Sequence, residues 1–330
     1  MDMKKKFSIV TGGAGLIGSH IVDLLIKKGH KVLVIDDLSG GHKKNLNHHS
    51  KNKNLKFKKI NILNKNLKFP KKVDYIFHMA GKGDLVPSVE NPVKYIENNM
   101  IGTLKILELA RKVNLKKFVY AASSSCYGIS RYPTNEKEKI NCEHPYALSK
   151  YLAEELVFHW AKVYGLKVNS IRIFNAYGPR VKTTGVYGAV FGVFFKQKLE
   201  NKPLTIVGDG TQKRDFVNVK DVANAFFKAA TSKINNEIFN VGYGKPTSVN
   251  QLAKLISNKR VFLPKRPGEP EVTQADIRKI KMKLKWKPRI KFNEGVKEML
   301  KDINLWKDAP LWNKKKINKA TKIWFKYLSK

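Results

Sequence analysis

The chain has 330 residues, 42% of them apolar, enough to bury a large core as one or two domains. Lys and Arg number 65 against 26 Asp and Glu, giving a formal net charge of +39. No apolar run reaches membrane-span length, and two cysteines are too few for a disulfide framework. Cys126 and Cys142 are expected in different environments as free thiols, in the cytosol. The lysines are scattered through nearly every segment, so the charge reads as compositional bias rather than a nucleic-acid surface. An anionic small-molecule substrate would gain from the same field.

The chain opens with basic residues before a short apolar run. Glycines interrupt that run and no small-residue cleavage site follows, so it reads as a first strand, not a signal peptide. Phe7, Ile9 and Val10 lead through Thr11 into Gly12, Gly13, Ala14 and Gly15. Leu16, Ile17 and Gly18 then open a helical pattern continued by Ile21, Leu24 and Leu25. Such a strand–turn–helix lets the backbone approach a pyrophosphate on the helix N-terminus. A glycine triplet alone is a weak signal, but the second strand, Lys31 to Ile35, supports it. It ends in Asp36 and Asp37, where a carboxylate would meet the ribose hydroxyls of a dinucleotide. A carboxylate there repels a 2′-phosphate and favours NAD, although Lys43 and Lys44 follow closely.

Strand and helix signals then alternate. Leu55–Ile60 and Tyr75–His78 read as strands, Val93–Lys112 as a helical run, and Phe118–Ala122 as a strand. Tyr146–Tyr164 reads as a long helix and Val168–Ile173 as a strand. This spacing predicts an α/β fold, a doubly wound parallel sheet of the Rossmann type. From Gly178 the texture changes, with Pro179, Gly185, Gly188, Pro203, Gly208, Gly210, Pro264, Pro267, Gly268 and Pro270 punctuating shorter elements. Glu237–Asn240 is a predicted strand, and Ser248 is placed to cap a helix through Leu252, Leu255 and Ile256. The division expected is a dinucleotide-binding domain at 1–177, with 215–242 returning to it, and a smaller mixed substrate domain at 178–330.

The tail carries Ile317, Ala320, Trp324, Tyr327 and Leu328 at helical spacing among lysines. A stripe docked on the protein itself is favoured over a membrane-surface helix. The eight histidines show no metal-ligand spacing, and His48 and His49 are expected to be solvated; no metal is expected.

Tyr146 and Lys150 stand one turn apart on one helix face. A free phenol titrates near pH ~10, and an adjacent ammonium stabilises its phenolate. The pair suits removal of a hydroxyl proton while hydride leaves the carbon. Taken singly, Tyr-x-x-x-Lys is common by chance. Ser123, Ser124 and Ser125 follow a predicted strand, so their hydroxyls emerge at the carboxyl edge of the sheet, where one could bond the same oxygen.

With these in order, the chain resembles the extended short-chain dehydrogenase/reductase family, especially its NAD-dependent nucleotide-sugar epimerases and dehydratases. The motifs are TGGAGLIGSH, VIDDLSGG, FHMAG, ENNMIGTLKIL, SSSCYG, YALSK, RIFNAYGPR, VGDGTQKRDFVNVKDV and KRPGEP, spanning about residues 7 to 290. The resemblance implies Ser123 as the catalytic hydroxyl, Tyr146 as acid/base, and Lys150 as its electrostatic partner and ribose ligand. For NAD it implies Gly12, Gly15, Leu16, Ile17, Gly18, Asp36, Asp37, Asn61, Ile62, Met79, Ala80, Gly81, Asn98 and Ile173, with Tyr146 and Lys150. For a nucleotide sugar, expected to be UDP-linked, it implies Ser125, Asn175, Val190, Thr205, Val207, Arg214, Arg266, Glu269 and Thr273. Guanidinium forks suit pyrophosphate oxygens, and Glu269 would meet the nucleoside ribose.

Five positions depart from the family pattern. Asn61 stands where an Asp usually meets the adenine amino group, and Val207 where an aromatic ring commonly stacks on the base. Ser124 and Ser125 replace the acidic residues of dehydratases and decarboxylases. Thr273 falls where a tyrosine narrows the sugar pocket of some epimerases, so N-acetylated sugars would fit. The implied activity is 4-epimerisation of a UDP-glucose or UDP-N-acetylglucosamine type of substrate. The alternatives are a dehydratase, decarboxylase or reductase on the same scaffold and, from a different class, a nucleic-acid-binding protein. A homodimer through the helices at Val93–Arg111 and Tyr146–Tyr164 is also implied.

Overall fold

The computed structural model describes residues 5–181 and 190–329, so Gly185 and Gly188 lie outside the described residues. The first half carries six strands, with helical segments between all successive pairs except β3 and β4: β1 (Phe7–Thr11), β2 (Lys31–Asp36), β3 (Leu55–Lys59), β4 (Lys72–His78), β5 (Asn114–Ser123) and β6 (Val168–Ile173). With the strand Glu237–Val241 they form one sheet, ordered Glu237–Val241, β6, β5, β4, β1, β2, β3. Every pairing in it is parallel. The strand order reverses between β1 and β4, and such a reversal opens a crevice at the carboxyl ends. Both faces are covered, so the middle strands bury apolar residues on each: Ile9, Val10, Val34, Ile76, Phe77 and Val119 are fully buried.

The predicted helical run at Val93–Lys112 is broken. A short helix, Pro92–Tyr95, passes through a π-helical turn at Ile96–Ile101 into the helix Gly102–Ala110. Asn99 in that turn accepts from the Lys82 amide at 2.7 Å and donates to the Lys82 carbonyl and to Ser149 Oγ. The widened turn thus ties the β4 loop to the helix Pro145–Tyr164, and π-turns recur at functional sites.

Beyond Gly178 a second apolar cluster gathers Tyr177, Phe191, Phe195, Phe216, Phe292 and Trp306. Within it the strand Leu204–Val207 pairs with Arg260–Leu263. Ser248 caps the helix Val249–Ile256 in a full capping box with Gln251. The C-terminal helix, Lys314–Leu328, is capped by Asn313 and buries Ile317, Thr321 and Trp324 against the protein, as the stripe predicts for Ile317 and Trp324, while Tyr327 is half exposed. No helix among the described residues is long and apolar enough to cross a membrane.

Two expectations are corrected. Cys126 and Cys142 are free thiols but share one environment, with the Cys142 Sγ donating to the Cys126 carbonyl at 3.8 Å. His48 and His49 are not simply solvated, because both Nε2 atoms meet one Asp23 oxygen at 2.7 and 2.9 Å. Arg180 holds the other Asp23 oxygen at 2.8 Å. Asp23, His48 and His49 could also approach a metal together, a grouping invisible in their spacing.

Candidate active site

β1 ends at Thr11, and the chain turns through Gly12 at φ +67° into the first helix, Leu16–Lys27. A Cβ on Gly12 would stand 2.6 Å from the Ala80 amide nitrogen, and one on Gly18 would collide with the Gly12 carbonyl. Internal packing therefore demands both glycines. Gly15 differs: its Cβ would meet only the Gly12 oxygen, at 3.3 Å, so the space beyond it is open. That open face borders a groove lined by Gly12, Gly15, Leu16, Ile17, Gly18, Asp36, Asp37, Asn61, Ile62, Met79, Ala80, Gly81 and Asn98. The groove also takes in Ser39, Gly40, Gly41, His42, Lys82, Asp84 and Arg180. Of these, Ser39, Gly40 and Gly41 belong to the VIDDLSGG motif, and Arg180 closes the RIFNAYGPR motif.

Asp36 accepts from the Ala14 amide at 2.9 Å and the Leu38 amide at 2.8 Å, which fixes its carboxylate at the end of β2. Burial raises its pKa, against those two amides. Asn61 presents its side chain inward: Nδ2 donates to Asp37 at 2.6 Å, and Oδ1 accepts from the Leu63 amide. Its carbonyl is thus already engaged rather than simply offered outward. Burial works against the Asp37 charge, yet bonds from Ser39 and Asn61 hold its pKa below the ordinary value. Ile173 ends β6. It pairs with Ser123 and Val241 in register and packs in the core, because β6 is covered on both faces.

A second cleft receives Ser125, Asn175, Val190, Thr205, Val207, Arg214, Arg266, Glu269 and Thr273 together. Ala176 and Val181 line both clefts, so they meet. Glu269 lies between two guanidiniums, 3.3 Å from Arg214 and 2.9 Å from Arg266. Burial lowers the Arg214 pKa, against the attraction of Glu269. Thr273 Oγ donates to Asn175 Oδ1 at 3.2 Å, and Thr205 exchanges two bonds with Gln197. The cleft also includes Leu85, Glu143, His144 and Trp324, which no motif singled out.

Ser123, Tyr146 and Lys150 stand next to residues that line the clefts: Ser123 beside Ser125, Tyr146 stacked on His144, and Lys150 near Gly81. Ser123 ends β5, with its Oγ 3.1 Å from Ser125 Oγ. Tyr146 opens the helix Pro145–Tyr164, and Lys150, buried one turn on, has its Nζ 4.5 Å from the Tyr120 ring centroid. Burial pushes the Tyr146 phenol up, a hydrogen bond with Ser123 opposes this, and Asp84 and Cys126 add to the rise. Lys150 is itself lowered to about 7 by burial, against Glu154. Burial thus outweighs the Ser123 hydrogen bond, and the Tyr146 pKa is raised where the sequence predicts it lowered.

A glycine-turn groove running into a Ser/Tyr/Lys cluster on a doubly wound parallel sheet defines a dinucleotide-dependent enzyme. Residues 8–242 match the model of the NAD dependent epimerase/dehydratase family, and the chain belongs to that family. A Methanocaldococcus jannaschii protein provisionally named UDP-glucose 4-epimerase is 40% identical over 300 residues, 88% of this chain and 96% of its own. The solved UDP-N-acetylglucosamine 4-epimerase of Methanobrevibacter ruminantium is 36% identical, with a TM-score of 0.86, covering 92% of this chain and 98% of that one. A UDP-glucuronic acid 4-epimerase from Bacillus cereus, solved with UDP-glucuronic acid and NAD, is 30% identical, with a TM-score of 0.85, over 91% and 99%. The residues present fit NAD: Gly15 leaves its face open, and the Asp36 carboxylate stands at the groove beside the glycine turn.

Proposed function

We propose that this enzyme is a nucleoside-diphosphate-sugar 4-epimerase of the UDP-glucose or UDP-N-acetylglucosamine type. What supports this is the meeting of the glycine groove with the cleft that holds the Arg214–Glu269–Arg266 cluster, with Ser123 bonded to Ser125 of that cleft and Lys150 beside Gly81 of the groove. When bound, NAD supplies a hydride acceptor and, once reduced, the donor. Gly12, Gly15, Gly18 and Asp36 would hold it, with Lys150 on its ribose. Tyr146 takes the proton of the C4 hydroxyl, and Ser123 bonds the same oxygen, leaving a 4-keto sugar. Arg214, Arg266 and Asn175 anchor the pyrophosphate while the sugar turns its other face, and Tyr146 returns the proton. Glu269 would then leave its arginines for the nucleoside ribose. Ser124 and Ser125 offer no carboxylate to eliminate water at C5, which favours epimerisation over dehydration.

Incubation with UDP-, dTDP- and GDP-sugars, read by NMR, tests the reading. C4 epimers should form without net NADH change; a net NADH change or released carbon dioxide would replace epimerisation by reduction or decarboxylation. Salt-dependent retention of DNA without sugar turnover would favour the nucleic-acid reading.

Thr273 leaves the sugar end uncrowded. Thr273→Tyr is expected to lower kcat/KM for UDP-N-acetylglucosamine about ten-fold more than for UDP-glucose, by steric exclusion. Equal losses on both would sink this.

The reading includes a cytosolic enzyme divided as 1–177 plus 215–242 around NAD and 178–330 around the substrate. We also infer a homodimer. Val93, Leu148, Val163 and Tyr164 are exposed apolar residues on the helices assigned to the interface. Light scattering at micromolar concentration should return twice the chain mass; the monomer mass would contradict it.

A further inference from the structure

The helix carrying Tyr146 and Lys150 has an unusual cap. N-terminal helix amides are normally bonded by Ser, Thr, Asp or Asn. Here His144 serves, with φ −150° and ψ 161°, and its Nδ1 accepts from the Ala147 amide at 3.2 Å. An accepting Nδ1 leaves the ring proton on Nε2. Burial lowers the His144 pKa to about 4, so the ring is neutral at working pH.

The capping ring is also a packing surface. It lies nearly parallel to the Tyr146 ring, with centroids 5.9 Å apart and planes 8° apart. Tyr95 meets Tyr146 edge-on at 6.5 Å. Behind His144 stands Trp324, 5.7 Å away, brought by the C-terminal helix. The Trp324 indole is fully buried, and its Nε1 donates to the Pro267 carbonyl at 2.9 Å. Pro267 follows Arg266 and lies two residues before Glu269, in the loop that lines the substrate cleft. His144 and Trp324 both line that cleft themselves. The last helix therefore touches the acid/base end and the anchoring loop at once.

We propose that the C-terminal helix is a working part of the active site, with Trp324 and His144 as positioning residues that hold the Tyr146 ring toward the sugar. Trp324 braces His144, His144 and Tyr95 hold Tyr146, and the indole N–H ties this stack to the Arg266–Glu269 loop. The inference rests on the role given to Tyr146 above. A misplacement of about 1 Å in a reacting group costs up to about 10²-fold in rate, so a brace of this kind acts on kcat rather than on binding.

The test uses the full chain. Trp324→Ala is expected to lower kcat about 10- to 100-fold on the preferred UDP-sugar, with KM and NAD affinity within about three-fold of wild type. Trp324→Phe, which keeps a ring against His144, should recover most of the loss. His144→Asn keeps a cap acceptor and removes the stacked ring; it should reproduce the kcat loss with little change in melting temperature. The double variant should be little worse than either single, because the two residues act through one stack. If Trp324→Ala does not fold, His144→Asn decides alone. Turnover within about two-fold of wild type in the folded variants, or a loss confined to KM, would overturn the proposal. An active wild type with unaffected variants rejects only this role, whereas a wild type inactive on every nucleotide sugar rejects the reaction and this role together.

Discussion

Replacing Tyr146 by Phe is expected to lower turnover by about 10²- to 10⁴-fold while NAD and nucleotide-sugar affinities stay close to wild type. The phenyl ring keeps the packing between Tyr95 and His144, so the helix start should be undisturbed. What is lost is the hydroxyl that shares a hydrogen bond with Ser123. The neighbouring Tyr120 hydroxyl is committed to the Lys150 carbonyl at 3.3 Å and does not replace it. Titration calorimetry with UDP and steady-state kinetics on one preparation separate binding from turnover. Near-normal turnover would remove Tyr146 from its assigned role.

The largest effect on stability is expected from Arg172→Leu, roughly 3–5 kcal/mol, because it strands a buried carboxylate. Glu154 lies one turn beyond Lys150 on the same helix, and Arg172 lies on β6; their side chains are 1% and 4% exposed. The guanidinium gives Nε and Nη2 to one Glu154 oxygen at 2.9 and 2.6 Å, and Ser170 Oγ donates to the other. Its Nη1 reaches the Tyr127 hydroxyl at 3.0 Å. Burial works against the Arg172 charge, but Glu154 outweighs it and holds the proton more tightly than usual. The pair thus bolts the catalytic helix to the sheet. Removing both charges, as in Arg172→Leu with Glu154→Leu, should recover much of the loss, since buried ion pairs often exchange for apolar packing at little cost. Urea unfolding of both variants checks this; a single variant within about 1 kcal/mol of wild type would show that the pair does not anchor the helix.

Most of the cofactor groove was legible in the chain because its requirements are local. Gly12 must adopt positive φ, and Gly18 must admit a neighbouring carbonyl. Asp36 ends β2 one strand away from the glycine turn, at the spacing the fold imposes. Ile173 was less legible, because an apolar residue at a strand end reads alike whether it faces a ligand or a neighbouring strand, and its side chain packs in the core. Asn61 shows a different shortfall. Its identity was plain, but its bonds to Asp37 and Leu63 depend on how the β3 loop folds back.

The sequence by itself determined the alternating strands and helices, the glycine turn, the acidic strand end and the one-turn spacing of Tyr146 and Lys150, since each follows from backbone periodicity over a few residues. Only the tertiary structure decided that His144 caps and stacks, that Trp324 reaches it from the last helix, that Glu154 meets Arg172, and that His48 and His49 converge on Asp23. Such contacts join residues far apart in the chain. Their side chains obey no common period, and only the packing of whole elements brings them together.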